Sequence, residues 1–365
     1  MNVSNNYINI LLLGETGIGK STFVNALANY LQYETLDVAL VGQPVCLIPT
    51  QFTVTDDNNE THIVRYGQSV DGSVNEYHNS SGQSVTQHCV TYCFKYGHHV
   101  IRLIDTPGVG DTRGMDQDRL NFDDMLEFIA HYDLLHLICI LLLPNQPRLT
   151  ESFQYCLRQL LCHLERDASK NIVFLFTKAS VTNYKLGDTK MPLDAILSTI
   201  REEPPHVDIP LNKQTMYFFD NQCFQYLVAL KMGHQYDDYD RNTHTVSWNR
   251  SVQECQRLLH YICGGVGQHQ ALAPHRIQNT LSINEIRRLI LALCEPAVIV
   301  TNIVECNLRE LKDIKDEIKN YQGTIDELND ELKKVIFRLV LYSLIYIVLF
   351  IGVGSNAHKS PPKFA

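Results

Sequence analysis

Eight residues near the start of the chain, Gly14-Glu15-Thr16-Gly17-Ile18-Gly19-Lys20-Ser21, read G-x-x-x-x-G-K-S. Residue types in that order suit phosphate chemistry. Gly14, Gly17 and Gly19 let the backbone curl until its N–H groups face phosphate oxygens. Lys20 can bridge the outer phosphates, and the Ser21 hydroxyl can take one position around Mg²⁺. Thr22 completes the phosphate-facing set at the start of the following helix. A triphosphate-shaped ligand is the expectation.

A second chemical stretch is Asp105-Thr106-Pro107-Gly108. A carboxylate at a strand end is a hard oxygen ligand for Mg²⁺, and glycine lets the following backbone move. Other groupings are weaker. His88, Cys89, Cys93, His98 and His99 match no zinc spacing, and Cys89 and Cys93 read as core cysteines on one strand face. His260, Cys263, His269 and His275 fare no better, and no Ser/His/Asp order suggests covalent catalysis.

These residues need elements to hold them. Tyr7–Leu13 is an apolar run fit for a buried strand, and Ser21–Leu31 continues at helical spacing. Thr35–Gln83 is a long polar insertion containing strand segments at Gln51–Thr55 and Thr61–Tyr66, then a Ser/Asn/Gly-rich loop over Gln68–Gly82. Ser84–Tyr96 and His99–Ile104 read as a hairpin turning at Gly97-His98. Helix at Phe122–Tyr132, strand at Leu134–Leu143, helix at Leu149–Leu164, strand at Asn171–Thr177, helix at Ala195–Ile200 and strand at Thr215–Phe219 follow. Such alternation predicts an α/β fold with a mostly parallel sheet covered on both faces, its ligands at the carboxyl ends of the strands.

The chain has 365 residues, 45% apolar content and a formal net charge of −9, enough for one sizeable α/β domain plus an extension. Without a long basic block, nucleic acid is not an expected partner. Eleven scattered cysteines, an odd number, suggest reduced thiols in the cytosol, and no signal peptide is visible at the N-terminus.

With both motifs in hand, the chain resembles the septin-like P-loop GTPases of the immune-associated nucleotide-binding (GIMAP) and chloroplast-import-receptor group over roughly residues 7 to 230. The resemblance implies a three-layer P-loop GTPase sandwich over residues 1–240, with a helical extension over 246–333. By position, Asp105 reaches Mg²⁺ and the Gly108 N–H senses the third phosphate. It implies a first-switch threonine at Thr86 in Ser84-Val85-Thr86, with Thr50 as the alternative; Lys20 and Thr86 are then the candidate catalytic residues, and Ser21, Thr86 and Asp105 the metal set. For the base it implies Thr177, Lys178 and Asn221. The pattern departs at Ser180, where the family has a carboxylate that accepts two hydrogen bonds from guanine; a hydroxyl cannot do so bidentately. Val109 stands two residues after Pro107, where Ras-like enzymes carry a glutamine that positions water. Slow hydrolysis, helped by self-association, is therefore expected, and Arg113, in the stretch after Gly108, is a candidate finger in cis or across a dimer.

Beyond residue 246 the pattern turns helical. Ser282 and Glu285 form a capping box before Ile283–Leu293, and Ala297–Asn320 carries an apolar stripe continued by Ile325, Leu328 and Leu332. Pairing as a coiled coil and folding onto the preceding domain both fit. Val335–Gly354 has the ~20-residue length of a bilayer span, with Lys333, Lys334 and Arg338 on its N-terminal side. A tail-anchored protein on the cytosolic face of a membrane is the expectation. The overall expectation is a GTP/GDP-binding, Mg²⁺-dependent switch that self-associates; a nucleotide-loaded scaffold without turnover and a P-loop ATPase are the alternatives.

Overall fold

The computed structural model describes residues 7–56, 58–67, 86–110, 113–164, 166–203, 206–264, 271–277, 298, 300–315 and 325–353. It divides into two compact units, residues 1–284 and 285–365.

In the first unit, β1 (Tyr7–Gly14) leads into α1 (Lys20–Gln32). Then come α2 (Leu36–Val41), the hairpin β2 (Thr50–Thr55) and β3 (Thr61–Tyr66), and the hairpin β4 (Val90–Tyr96) and β5 (His99–Asp105). The chain continues through α3 (Met115–Ile129), β6 (Leu134–Leu135), β7 (Leu137–Leu142) and α4 (Glu151–His163). It proceeds with β8 (Ile172–Phe176), α5 (Lys190–Glu202), β9 (Met216–Phe218), α6 (Gln222–Lys231), α7 (Asp238–Cys263) and β10 (His275–Arg276).

Six strands form one sheet in the order β4-β5-β1-β7-β8-β9, parallel except where β4 runs back along β5. Strand alternation divides the apolar residues between two cores. Ile8, Ile10 and Leu12 of β1 and Cys139 and Leu141 of β7 face α1, α6 and α7. Leu11 of β1 and Ile138, Ile140 and Leu142 of β7 face α3, α4 and α5. Burial on both sides explains why these strands read as continuous apolar runs. Register places Leu12 opposite Asp105, Gly14 opposite Leu141 and Leu142 opposite Phe176. The strand ends that carry the chemical residues therefore lie along one edge.

Several expectations need correction. Residues 35–67 are no polar insertion: Leu36, Ala39, Ile48 and Val64 are buried in the core of α1. Their burial was hidden because apolar residues there stand singly among polar ones. Residues 68–85, including the expected loop over Gln68–Gly82, lie outside the described residues. The expected strand at 134–143 is split at His136, whose Nδ1 accepts from Asn9 N–H at 3.1 Å and whose N–H donates to Asn9 O; β6 pairs instead with β10. Helix α3 begins at Met115, earlier than expected. Cys89, just before β4, is buried, whereas Cys93 within β4 is exposed, so only the first is a core cysteine.

The boundary near residue 240 also moves. Helix α7 belongs to the first unit, because Trp248, Cys255 and Leu258 are buried against α1 and α6. Trp248 stacks edge-on against Tyr30 at 4.9 Å and donates to Tyr33 O at 3.3 Å.

The second unit contains α8 (residues 300–315) and α9 (Ile325–Val353). The capping box at Ser282 and Glu285 lies outside the described residues. An apolar groove between the two helices is walled by Val304, Leu308, Leu311, Leu339 and Leu344. The bilayer span expected over Val335–Gly354 is not met among the described residues, where no helix is long and apolar enough to cross a membrane. Arg338 interrupts the expected span near its N-terminal end. Phe337, Val340, Tyr342, Leu344 and Val348 are nonetheless exposed.

Candidate functional site

The loop between β1 and α1 is shaped by its glycines. A Cβ on Gly14 would come within 2.8 Å of Leu141 O, so the strand end can approach β7 only as glycine. Gly17 and Gly19 hold φ of 77° and 94°, which reverses the chain into α1. Lys20 opens the helix, and its side chain folds back so that Nζ donates to Gly14 O at 3.0 Å and Glu15 O at 3.2 Å. Burial lowers its pKa to about 8, against the opposing pull of Asp105 and Glu15. A buried ammonium beside a helix start, where N–H groups lack intrahelical partners, is a strong electrostatic well for an anion.

Next to it three side-chain oxygens converge. Ser21 Oγ donates to Asp105 Oδ2 at 3.0 Å, and Thr86 Oγ1 donates to the same oxygen at 3.3 Å. The two hydroxyl oxygens are 3.3 Å apart. Asp105 is fully buried at the end of β5, and its other oxygen, Oδ1, has no hydrogen-bond partner. Burial raises its pKa, opposed by Lys20 and by the two hydroxyls. An orphaned carboxylate oxygen in the interior is costly by about 1–3 kcal/mol unless a cation compensates it. Hard oxygen donors in this set fit Mg²⁺. Thr50 does not join them: it opens β2, paired with Tyr66.

Thr106 Oγ1 donates to Leu12 O at 2.7 Å, fixing the turn after β5. Beyond it Gly108 lies against the glycine loop, where an added Cβ would sit 2.6 Å from Thr16 Cα.

The expected base end is built from β8 and β9. Thr177 Oγ1 donates to Ile18 O at 2.9 Å, tying the end of β8 to the glycine loop. Lys178 takes a left-handed conformation, φ 53°, and is exposed; Ser180 follows in a 3₁₀ turn over Ala179–Thr182. Ala179 N–H donates to Phe219 O at 3.0 Å, which brings this turn beside Asn221 at the cap of α6. Asn221 is buried, and neither its side-chain oxygen nor its nitrogen has a hydrogen-bond partner. Tyr30 supports this loop by donating to Asp220 O at 2.6 Å. Arg113 is exposed just before α3.

Sequence reading missed Glu15, Gln146, Thr150 and Asp118. The Glu15 carboxylate accepts from Thr150 Oγ1 at 2.6 Å, Thr150 N at 3.2 Å and Gln146 Nε2 at 3.2 Å. Thr150 also caps α4 by accepting from Phe153 N–H. An acidic residue inside a phosphate-facing loop demands a partner, and a Thr opening a helix offers one; that was the available signal. Asp118, buried in α3, accepts from Gly110 N–H at 3.0 Å.

No protein-family model matches the sequence, and no curated protein sequence does. Among solved structures, the chain is similar to Toc33 from Arabidopsis thaliana in complex with GDP and Mg²⁺, at 14% identity over 74% of this chain and 88% of that chain, with a TM-score of 0.41. It is similar to a dimerization-deficient mutant of the same protein at 15% identity, with the same coverage and a TM-score of 0.40. Translation elongation factor SelB from Methanococcus maripaludis, bound to a GTP analogue, is similar at 11% identity over 63% of this chain and 35% of that chain, with a TM-score of 0.29. Likenesses this distant assign no role to any residue, and the site is read from its own geometry.

Proposed function

We propose that the chain is a nucleoside-triphosphate-binding switch of the P-loop GTPase kind. The observation that carries this reading is the meeting of the Ser21, Thr86 and Asp105 oxygens beside buried Lys20 at the start of α1. Lys20 and the glycine-loop amides would hold the phosphates, and Ser21, Thr86 and Asp105 would hold Mg²⁺, which supplies charge neutralisation at the outer phosphates. Thr177, Lys178 and Asn221 would face the base. The buried, unpartnered amide of Asn221 offers two N–H donors and a carbonyl acceptor, which supports a role in base contact. With Ser180 in place of a carboxylate, guanine preference rests on fewer hydrogen bonds.

Turnover is slow in this reading, because Val109 cannot orient a water. Self-association accelerates it, and the exposed apolar surface of α9 supports attachment to the cytosolic face of a membrane. A nucleotide-loaded scaffold without turnover is the second reading, favoured by Val109 itself.

Single-turnover hydrolysis by the full chain, comparing GTP, ATP and a Lys20→Ala control at several protein concentrations, tests the reading. GTP cleavage that quickens with protein concentration supports the switch. Tight binding without phosphate release under any condition leaves only the scaffold. For the membrane, removal of residues 335–365 should release the protein to the soluble fraction; unchanged partition contradicts attachment.

A further inference from the structure

The hairpin β2–β3 carries polar residues that neither the phosphate end nor the base end uses. Its last pair joins Thr55 to Thr61, so Asp56 and Glu60 flank the turn. Asp56 is fixed there. Its N–H donates to Glu60 O at 3.0 Å, and its Oδ1 accepts from the N–H groups of Asn58 and Glu60, each at 2.9 Å. Its Oδ2 faces His62, whose Nε2 lies 3.1 Å away. Asp56, Glu60 and His62 each present a ligand atom within 4.8 Å of the other two. A second imidazole comes from another element. Strand alternation puts His62 on the face of buried Val64, toward the core of α1, α6 and α7, while Ile63 points to solvent. The chain leaves α6 beside it. Gly233 takes φ 92°, and His234 N–H donates back to Ala229 O at 3.0 Å. That exit holds the His234 ring next to the His62 ring, with centroids 5.7 Å apart.

We propose that Asp56, Glu60, His62 and His234 bind one transition-metal ion of the zinc class, which pins the β2–β3 hairpin to the end of α6. This site stands independently of the nucleotide reading. Exposed carboxylates by themselves are ordinary solvated charges; the convergence of two imidazoles from separate elements on them distinguishes this cluster. The donor set also decides the class of ion. Imidazole nitrogens suit Zn²⁺, whereas Mg²⁺ and Ca²⁺ take oxygen donors such as those of Ser21, Thr86 and Asp105. Neighbouring ligand atoms on a tetrahedral Zn²⁺ lie roughly 3.3 Å apart, and two imidazole centroids on one ion roughly 5 Å apart. His62 Nε2 and Asp56 Oδ2 already stand near the first spacing. The two rings need to close by less than about 1 Å to meet the second. Glu60, exposed beyond the turn, swings in as the remaining ligand. The ion takes the place of the proton shared between Nε2 and Oδ2, and the amides on Asp56 Oδ1 orient the carboxylate as outer-shell partners do.

Calorimetric titration of the full-length protein with Zn²⁺, in buffer holding excess Mg²⁺, tests it. The unaltered chain is compared with His62→Gln, with His234→Gln and, as a control, with His131→Gln, an exposed histidine just past α3. One Zn²⁺-binding event shared by the unaltered chain and His131→Gln should weaken at least roughly tenfold in both His62→Gln and His234→Gln. Zn²⁺ should also slow amide hydrogen exchange at residues 58–62 and 233–234 of the unaltered chain, a readout that needs no variant to fold. An unchanged titration in His62→Gln, or displacement of the ion by Mg²⁺, overturns the site. A loss in His62→Gln without one in His234→Gln overturns the link between hairpin and α6, as does exchange in either segment that ignores Zn²⁺. No nucleotide enters the titration, so its failure leaves the nucleotide reading standing.

Discussion

The phosphate end and the base end of the candidate site are built in different ways. At the phosphate end each charged side chain is tied to several neighbours: Lys20 to two loop carbonyls, Asp105 to Ser21 and Thr86 through one of its oxygens, Glu15 to Thr150 and Gln146. At the base end Lys178 and Ser180 sit on a turn at the surface, and the Asn221 side chain has no partner at all. Charge explains the contrast. A buried ammonium and a buried carboxylate are tolerable only inside a dense set of compensating contacts, whereas a neutral amide can wait for a ligand at far smaller cost. Affinity should therefore reside in the phosphate end, and selectivity should be weak and adjustable at the base end.

The contrast breaks most visibly at Lys20. Lys20→Ala removes the buried ammonium of the phosphate well and should weaken nucleotide binding by roughly 100-fold or more, measured with a fluorescent nucleotide. At the other end, Ser180→Asp supplies the missing bidentate acceptor and should raise guanine over adenine preference by roughly 10- to 100-fold in competition experiments. If Ser180→Asp leaves preference unchanged, the turn after β8 does not face the base. Thr86→Ala should lower the Mg²⁺-dependent part of triphosphate affinity roughly tenfold while Thr50→Ala does nothing, because only Thr86 meets Asp105. An equal loss in both variants contradicts that assignment.

The smallest effect is in pH. Lys20 carries a pKa of about 8 in the free protein, lowered by burial. Bound phosphate stabilises the ammonium and raises that value. Binding is therefore insensitive to pH below about 8 on account of this group, and weakens a few-fold as pH climbs above it. The sign is checked by titration calorimetry in buffers of different ionisation enthalpy, which should show proton uptake on binding near pH 9 and almost none at pH 6.

How far the sequence revealed this follows from the range of each signal. The strand–loop–helix around Lys20 is local; Asp105 and Thr86 were placed by a family resemblance, with Thr50 as the alternative, and only the fold shows both of them meeting Ser21. Buried β-strands such as Ile172–Phe176 announce themselves as unbroken apolar runs. Long-range packing was not legible. Trp248 closes on Tyr30 from far along the chain, and nothing in the spacing around it names α1 as its partner. Leu36, Ile48 and Val64 look isolated in a polar stretch, and become core only when α2 and the β2–β3 hairpin fold back. The Glu15–Thr150 pair is of the same kind: each residue carries a recognisable need, and only the fold shows that they answer one another.

The central claim is that Ser21, Thr86 and Asp105 form the cation side of a phosphate site completed by Lys20. Its most direct measurement is calorimetric titration of the full-length protein with GTP analogue, with and without Mg²⁺, alongside Asp105→Asn. The expected result is binding tightened at least roughly tenfold by Mg²⁺ in the unaltered chain, with that gain lost in Asp105→Asn. Equal affinity with and without Mg²⁺, or a Mg²⁺ gain that survives in Asp105→Asn, would contradict it.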